Sequence, residues 1–162
     1  MEIQKKRSDP VKVGVVGARG YSGQELCRLL YQHTQVSLDS IFFNKGKSFS
    51  LWTECPELER MARSKNKLEP RGLELEEFFQ SKETLDVVFL ATPNEVSMEL
   101  TDLFLQKGIS VIDLSGIFRL NKVDVKTSQS LYLKYYGFEH SKVNRLNDAI
   151  YGLQPFSQLA IS

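Results

Sequence analysis

Apolar residues in this chain fall into short runs separated by polar, helix-like stretches. Val11–Val16 is a short β-branched run, broken by Gly14, and it predicts a buried strand. Ser22–Tyr31 follows with Leu26, Leu29 and Leu30 at helical spacing, which predicts a helix packed through those leucines. Val36–Phe43 predicts a second strand, so a strand–helix–strand unit is complete early in the chain. Asn44–Arg71 is polar and irregular, with a short helix expected near Glu57–Ala62, and Leu73–Gln80 predicts another. Leu85–Ala91 (LDVVFLA) is apolar on both faces and predicts a central strand. Glu95–Lys107 predicts a helix capped by Gly108, Ser110–Leu114 the next strand, and Val125–Tyr135 a last helix. This alternation predicts an α/β, Rossmann-like fold: a mostly parallel sheet with helices on both faces. Residues 1–10 are expected to be a disordered leader, and 11–162 one dinucleotide-binding domain.

The first predicted strand runs into Gly14, Gly17, Gly20 and Gly23, spaced Gly-x-x-Gly-x-x-Gly, and a helix is expected to open there. A strand–turn–helix setting gives these glycines distinct uses: a sharp turn, close approach of backbone to a pyrophosphate, and tight packing of helix on strand. The helix start then offers free N–H groups and partial positive charge to phosphates. Ser22 is expected to cap that helix. A triphosphate-binding loop is a poor competitor, because Gly46-Lys47-Ser48 has Ile41 where that motif's first glycine belongs.

A site that prefers NAD usually ends the second strand in an acid that binds the ribose hydroxyls. Here that strand ends in Phe43, followed by Asn44, Lys45, Gly46, Lys47 and Ser48, with no carboxylate and two lysines. A 2′-phosphate suits that loop, so NADP (NADPH) is the expected cofactor; a plain basic loop is the alternative. Ligands in such sheets lie beyond the carboxyl ends of the strands. Ala91, Thr92 and Pro93, and then Ser115 and Gly116, end the next two strands and are further cofactor candidates. Asn94 is expected to cap the helix after Pro93. Arg119 is a candidate for holding a substrate carboxylate or phosphate.

Charge and cysteine content narrow the classes. A formal net charge of +1 over 162 residues lacks the basic excess of a phosphate-held nucleic-acid binder. No apolar run is long enough to span a membrane. Cys27 and Cys55 match no metal or redox spacing, which suits a reducing cytoplasm.

Five stretches, in order, resemble one family: Val13–Leu26 (VGVVGARGYSGQEL), Phe89–Ser97 (FLATPNEVS), Asp113–Leu120 (DLSGIFRL), Tyr136–His140 (YGFEH) and Tyr151–Leu153 (YGL). They resemble the N-acetyl-gamma-glutamyl-phosphate reductases, enzymes of arginine biosynthesis. The resemblance implies a soluble homo-oligomer acting on a small molecule. It implies NADPH-dependent reduction of an acyl phosphate to a semialdehyde through a cysteine thioester. It places cofactor-binding residues at Gly17, Ala18, Arg19, Gly20, Tyr21, Ser22 and Gly23, and again at Ala91, Thr92 and Pro93. The family's nucleophile lies in an Asn-Pro-Gly-Cys-Tyr-Pro run that this chain does not contain, so no catalytic residue is expected in it and the chain alone is expected to be inactive. Asn94 stands where the family usually has histidine, Glu95 where glycine is common, and Gln154 interrupts the usual Tyr-Gly-Leu-Pro order. The cofactor domain of a sister enzyme, such as aspartate-semialdehyde dehydrogenase or an amino-adipate homologue, is an alternative. A non-catalytic NADP-binding module is another. The apolar end Phe156–Ser162 is expected to leave a patch prone to self-association.

Overall fold

The computed structural model describes residues 9–120 and 125–152. Most of the expected leader, the stretch 121–124, and the chain end from Leu153 with its Gln154 and Phe156–Ser162 lie outside the described residues. Strands β1 (Val11–Val16), β2 (Val36–Phe43), β3 (Arg71–Glu74), β4 (Val87–Leu90) and β5 (Ser110–Asp113) form one sheet in the order β3-β2-β1-β4-β5. Every pairing is parallel, with one register shift between Val13 and Gly14 where β1 meets β2. The order turns back at β1, so the crevice between the ends of β1 and β4 is the expected ligand position.

The helices are α1 (Tyr21–Gln32), α2 (Leu51–Glu54), α3 (Pro56–Ser64), α4 (Leu75–Gln80), α5 (Asn94–Gln106) and α6 (Val125–Tyr136), followed by a 3₁₀ turn over Val143–Asn147. Alternation along the strands sorts the core into two layers. Val13, Val15 and Ile41 pack with Cys27 and Leu30 of α1, and with Leu58 and Ala62 of α3. On the other face Val16, Phe42, Val88 and Leu90 pack with Phe78 of α4 and with Leu100 and Phe104 of α5. The Phe42, Phe78 and Phe104 rings meet with centroids 4.8–6.0 Å apart, within the range of favourable aromatic pairs. Tyr132, Ile117 and Leu146 make a third, smaller cluster. Asp102 of α5 ties it down through Lys142 and Arg145, at 2.8 and 2.7 Å. On the α1/α3 side of the sheet the edge strand β5 is left open, with Ile112 47% exposed.

The elements depart from the sequence reading in particular places. The segment read as irregular also holds α2, and its last residue Arg71 opens the edge strand β3; the helix expected from Leu73 starts only at Leu75. Leu30 is buried as expected, but Leu29 is exposed, and Gly23, Cys27 and Tyr31 complete the buried face of α1. Gly108 does end α5 as expected, with φ +74° and the Gly108 and Ile109 N–H groups bonded back to Leu105 and Phe104. No helix of the described residues is long and apolar enough to cross a membrane.

Candidate functional site

The glycines of the first turn divide by what surrounds them. Gly17 has φ +85°, and a Cβ there would lie 2.3 Å from the Ala91 carbonyl oxygen. The Ala91 N–H donates to the Val16 carbonyl at 2.9 Å, so the turns after β1 and β4 are pressed together. A Cβ on Gly23 would meet the Gly17 oxygen at 2.1 Å, which holds α1 hard against the turn. Around Gly20 the nearest atom to an added Cβ is 3.6 Å away, an ordinary contact. Folding therefore demands glycine at 17 and 23 but not at 20. Tyr21, Ser22 and Gly23 form the first turn of α1, where N–H groups lack helical partners. Ser22 does not cap: the helix starts one residue earlier, with Gly20 as N-cap and no side-chain bond.

The second loop is braced from within. Thr92 Oγ1 and Ser97 Oγ are 2.8 Å apart, and Ser97 is fully buried. Asn94 does not cap α5, whose N-cap is Pro93. Its Oδ1 instead accepts the Gly116 N–H at 3.0 Å, stitching the second loop to the third. In that third loop the Asp113 carboxylate accepts from the Ser115 N–H at 3.1 Å and the Ser115 hydroxyl at 2.6 Å, and Ser115 Oγ accepts the Ile117 N–H. Gly116 lies under the Tyr136 hydroxyl, where an added Cβ would sit 2.2 Å from it. His140, 1% exposed, locks the same loop. Its Nε2 is 2.9 Å from the Ile117 carbonyl, which only accepts, and its Nδ1 is 3.1 Å from the Lys142 N–H, which only donates. The ring is therefore the neutral Nε2–H tautomer, and burial holds its pKa below the ordinary value.

The fourth piece follows β2. Asn44, Lys45 and Lys47 are exposed, with the Lys47 N–H donating to the Asn44 carbonyl at 3.0 Å. The Glu74 carboxylate at the end of β3 accepts the Gly46 N–H at 3.1 Å. A carboxylate thus stands at this loop after all, delivered by a strand the sequence pattern did not reveal. Arg19 leans across from the glycine turn: its Nη2 donates to Glu54 Oε1 at 3.0 Å, and its guanidinium carbon is 6.0 Å from the Phe49 ring centre. The third loop's Arg119 is exposed and folds back on its own loop, donating from Nη2 to the Leu114 carbonyl at 2.7 Å and lying over the Tyr151 ring.

The turns after β1, β4 and β5 are thus brought into one contact chain running Gly17, Ala91, Asn94, Gly116, Tyr136. Arg19 reaches from the glycine turn to Phe49 and Glu54, in the stretch that follows the lysine loop. Neither cysteine is placed for chemistry. Cys27 is fully buried on α1, with its thiol pushed up to about 12 mainly by burial. Cys55 sits between α2 and α3 in a groove of about 390 Å³ that shares only Tyr21 with the glycine turn. Among the described residues no cluster of His, Cys, Asp or Glu could hold a metal.

Residues 12–162 match the family model described as semialdehyde dehydrogenase, NAD binding domain. The N-acetyl-gamma-glutamyl-phosphate reductase of Thiobacillus denitrificans is 38% identical over 144 residues, covering 88% of this chain and 38% of that protein. The enzyme of the same name from Idiomarina loihiensis is 39% identical, covering 87% of this chain and 39% of that protein. The chain thus spans about two-fifths of the length of these curated relatives. Among solved structures, aspartate semialdehyde dehydrogenase II of Vibrio cholerae, complexed with ASA, superposes with a TM-score of 0.53 at 19% identity, over 70% of this chain and 33% of that one. Aspartate semialdehyde dehydrogenase of Candida albicans with NADP gives 0.51 at 18% identity, over 82% and 40%. Matched along nearly its whole length and folded as a parallel sheet with the turns after β1, β4 and β5 gathered at one edge, the chain belongs to the semialdehyde dehydrogenase NAD-binding domain family.

Proposed function

We propose that this chain is the NADP-binding domain of an N-acetyl-gamma-glutamyl-phosphate reductase, a homo-oligomeric cytoplasmic enzyme of arginine biosynthesis acting on a small acyl phosphate. One observation carries the dinucleotide part. Gly20 stands open at the start of α1, while Gly17 and Gly23 on either side are locked by the fold. A glycine that packing does not require, set before unpartnered N–H groups, suits a backbone that must approach a pyrophosphate. Ala18, Arg19, Tyr21 and Ser22 complete that turn. Ala91, Thr92 and Pro93 floor the crevice, and Ser115 and Gly116 border it. Asn44, Lys45 and Lys47 meet the adenosine end. Arg119 serves substrate only after leaving its Leu114 carbonyl.

Bound NADPH supplies the hydride that reduces an acyl thioester. This chain's own residues position it and keep the loop edge rigid. Neither Cys27 nor Cys55 suits the thioester-forming nucleophile: one thiol is buried and held protonated, and the other opens into a groove that includes no residue of the turns after β4 and β5. The chain by itself is therefore expected to bind cofactor without oxidising NADPH in the presence of acyl phosphate.

Calorimetric titration with NADPH and then NADH tests the reading. NADPH is expected to bind more tightly. Changing Lys45→Glu and Lys47→Glu together is expected to weaken NADPH by about tenfold and NADH by less than about twofold, the scale of two exposed charge contacts reversed. Equal losses for both cofactors would remove the 2′-phosphate from this loop.

A further inference from the structure

We infer that Glu54 sets how strongly this site prefers a 2′-phosphate, by holding Arg19 as a counter-ion that the phosphate must take over. The inference rests on the dinucleotide reading above and adds to it a residue outside the glycine turn and the lysine loop.

The geometry is specific. The backbone of Arg19 is fixed by the turn: its carbonyl accepts from Gln24 Nε2 at 3.2 Å, and the adjacent Gly20 N–H donates to the Gly17 carbonyl at 3.1 Å. From that anchor the side chain reaches the segment after β2, where the adenosine ribose of a dinucleotide is bound in this fold and where an arginine accommodates a 2′-phosphate. There it meets a carboxylate. Glu54 Oε1 accepts from Arg19 Nη2 at 3.0 Å, with the side chains 65% and 37% exposed on Arg19 and Glu54 respectively. The contact occupies one of the five N–H donors of a guanidinium. Such a partly exposed, singly bonded pair is weak and exchangeable. A phosphate is the better partner, since it can engage two parallel N–H donors and carries about two negative charges.

Glu54 therefore acts in two ways on one ligand group and on no other. It competes for Arg19, and its own charge opposes an incoming phosphate at the same place. NADH carries a neutral hydroxyl there, which neither draws Arg19 away from Glu54 as a dianion does nor meets charge repulsion from the carboxylate. Glu54 also ends the four-residue helix α2, whose N-cap Ser50 accepts the Thr53 N–H at 3.1 Å, so the backbone that carries the carboxylate is held within reach of Arg19.

The test is a titration of the full chain and its variants with NADPH and NADH, repeated with 2′,5′-ADP and 5′-AMP. Glu54→Gln is expected to tighten NADPH and 2′,5′-ADP by about three- to tenfold, with NADH and 5′-AMP changed less than about twofold. In an Arg19→Gln background most of that gain is expected to vanish, because the two residues act as a pair. Glu54→Ala, checked by its melting temperature, guards against an artefact of the glutamine. An equal shift for both cofactors, no shift at all, or a gain that survives intact without Arg19 would overturn the inference while leaving dinucleotide binding in place. Failure of the unmodified chain to bind any of the four ligands would overturn the dinucleotide reading itself, and this inference with it.

Discussion

Gly23→Ala is expected to lower the melting temperature by about 6–12 °C and to abolish cofactor binding, the scale of a core overpacked by about 3 kcal/mol. The added methyl has no escape. It would sit 2.1 Å from the Gly17 oxygen and 2.7 Å from Ala18 Cα, and both are backbone atoms. Gly17 cannot retreat, because its own α-carbon faces the Ala91 carbonyl. Helix α1 must therefore move off the turn, carrying its first N–H groups away from the crevice. The same substitution at Gly20 separates packing from binding. Its φ of −76° is ordinary and its surroundings are open, so stability is expected to stay level or rise by about 0.4–1 kcal/mol through a stiffer unfolded chain. NADPH affinity is expected to fall about tenfold or more if the pyrophosphate lies against that α-carbon. Thermal melts and titrations on the two variants check both statements. A Gly20→Ala chain that kept full affinity would move the pyrophosphate elsewhere.

His140→Leu is expected to cost about 2–4 kcal/mol, because it strands a buried carbonyl at Ile117 and a backbone N–H at Lys142 together. The cost has a pH signature. Burial favours the neutral ring, so the folded pKa lies below the unfolded value of 6.5. Between those two values the unfolded chain binds more protons than the folded one, and stability rises with pH. The ring's contribution is thus complete above pH 6.5 and is lost as pH falls through the window below it. Urea unfolding at pH 7.5 and pH 5.5 is expected to show a gap between the unaltered chain and His140→Leu that narrows at the lower pH. A gap that stays constant would mean that the ring is not held neutral in the fold. Because Ile117 closes the Ser115–Arg119 loop, the variant is also expected to loosen the third loop.

What was legible in the sequence was whatever the chain decides locally. Val11–Val16 and Val36–Phe43 are short runs rich in Val, Ile, Leu and Phe, the mark of a strand with its apolar side chains in a core. The glycine turn was legible for the same reason. β3 was not: Arg71–Glu74 holds one large apolar residue and becomes a strand only by pairing Leu73 with Phe42. Missing it hid Glu74, and the lysine loop consequently read as free of carboxylates. Asn94 and Ser22 were assigned the capping roles their types favour. The partner that claims Asn94 is Gly116, 22 residues away, which no local pattern reveals. Leu29 failed differently: a stripe of leucines marks a helix but not which edge of the stripe is covered, and Cys27 took the buried place.

The position of β1 at the turning point of the strand order has a consequence for synthesis. β1 bonds β2 on one side and β4 on the other. Its first partner is complete at Phe43, but its second begins only at Val87. A ribosome adding about 5–20 residues per second needs roughly 2–9 s to cover that interval. Throughout it the nascent strand–helix–strand unit shows one unpaired ladder edge and the apolar side of Val16 and Phe42. The central strand of the finished domain is thus an edge strand during its birth, and that interval is when a chaperone for extended apolar segments has its substrate.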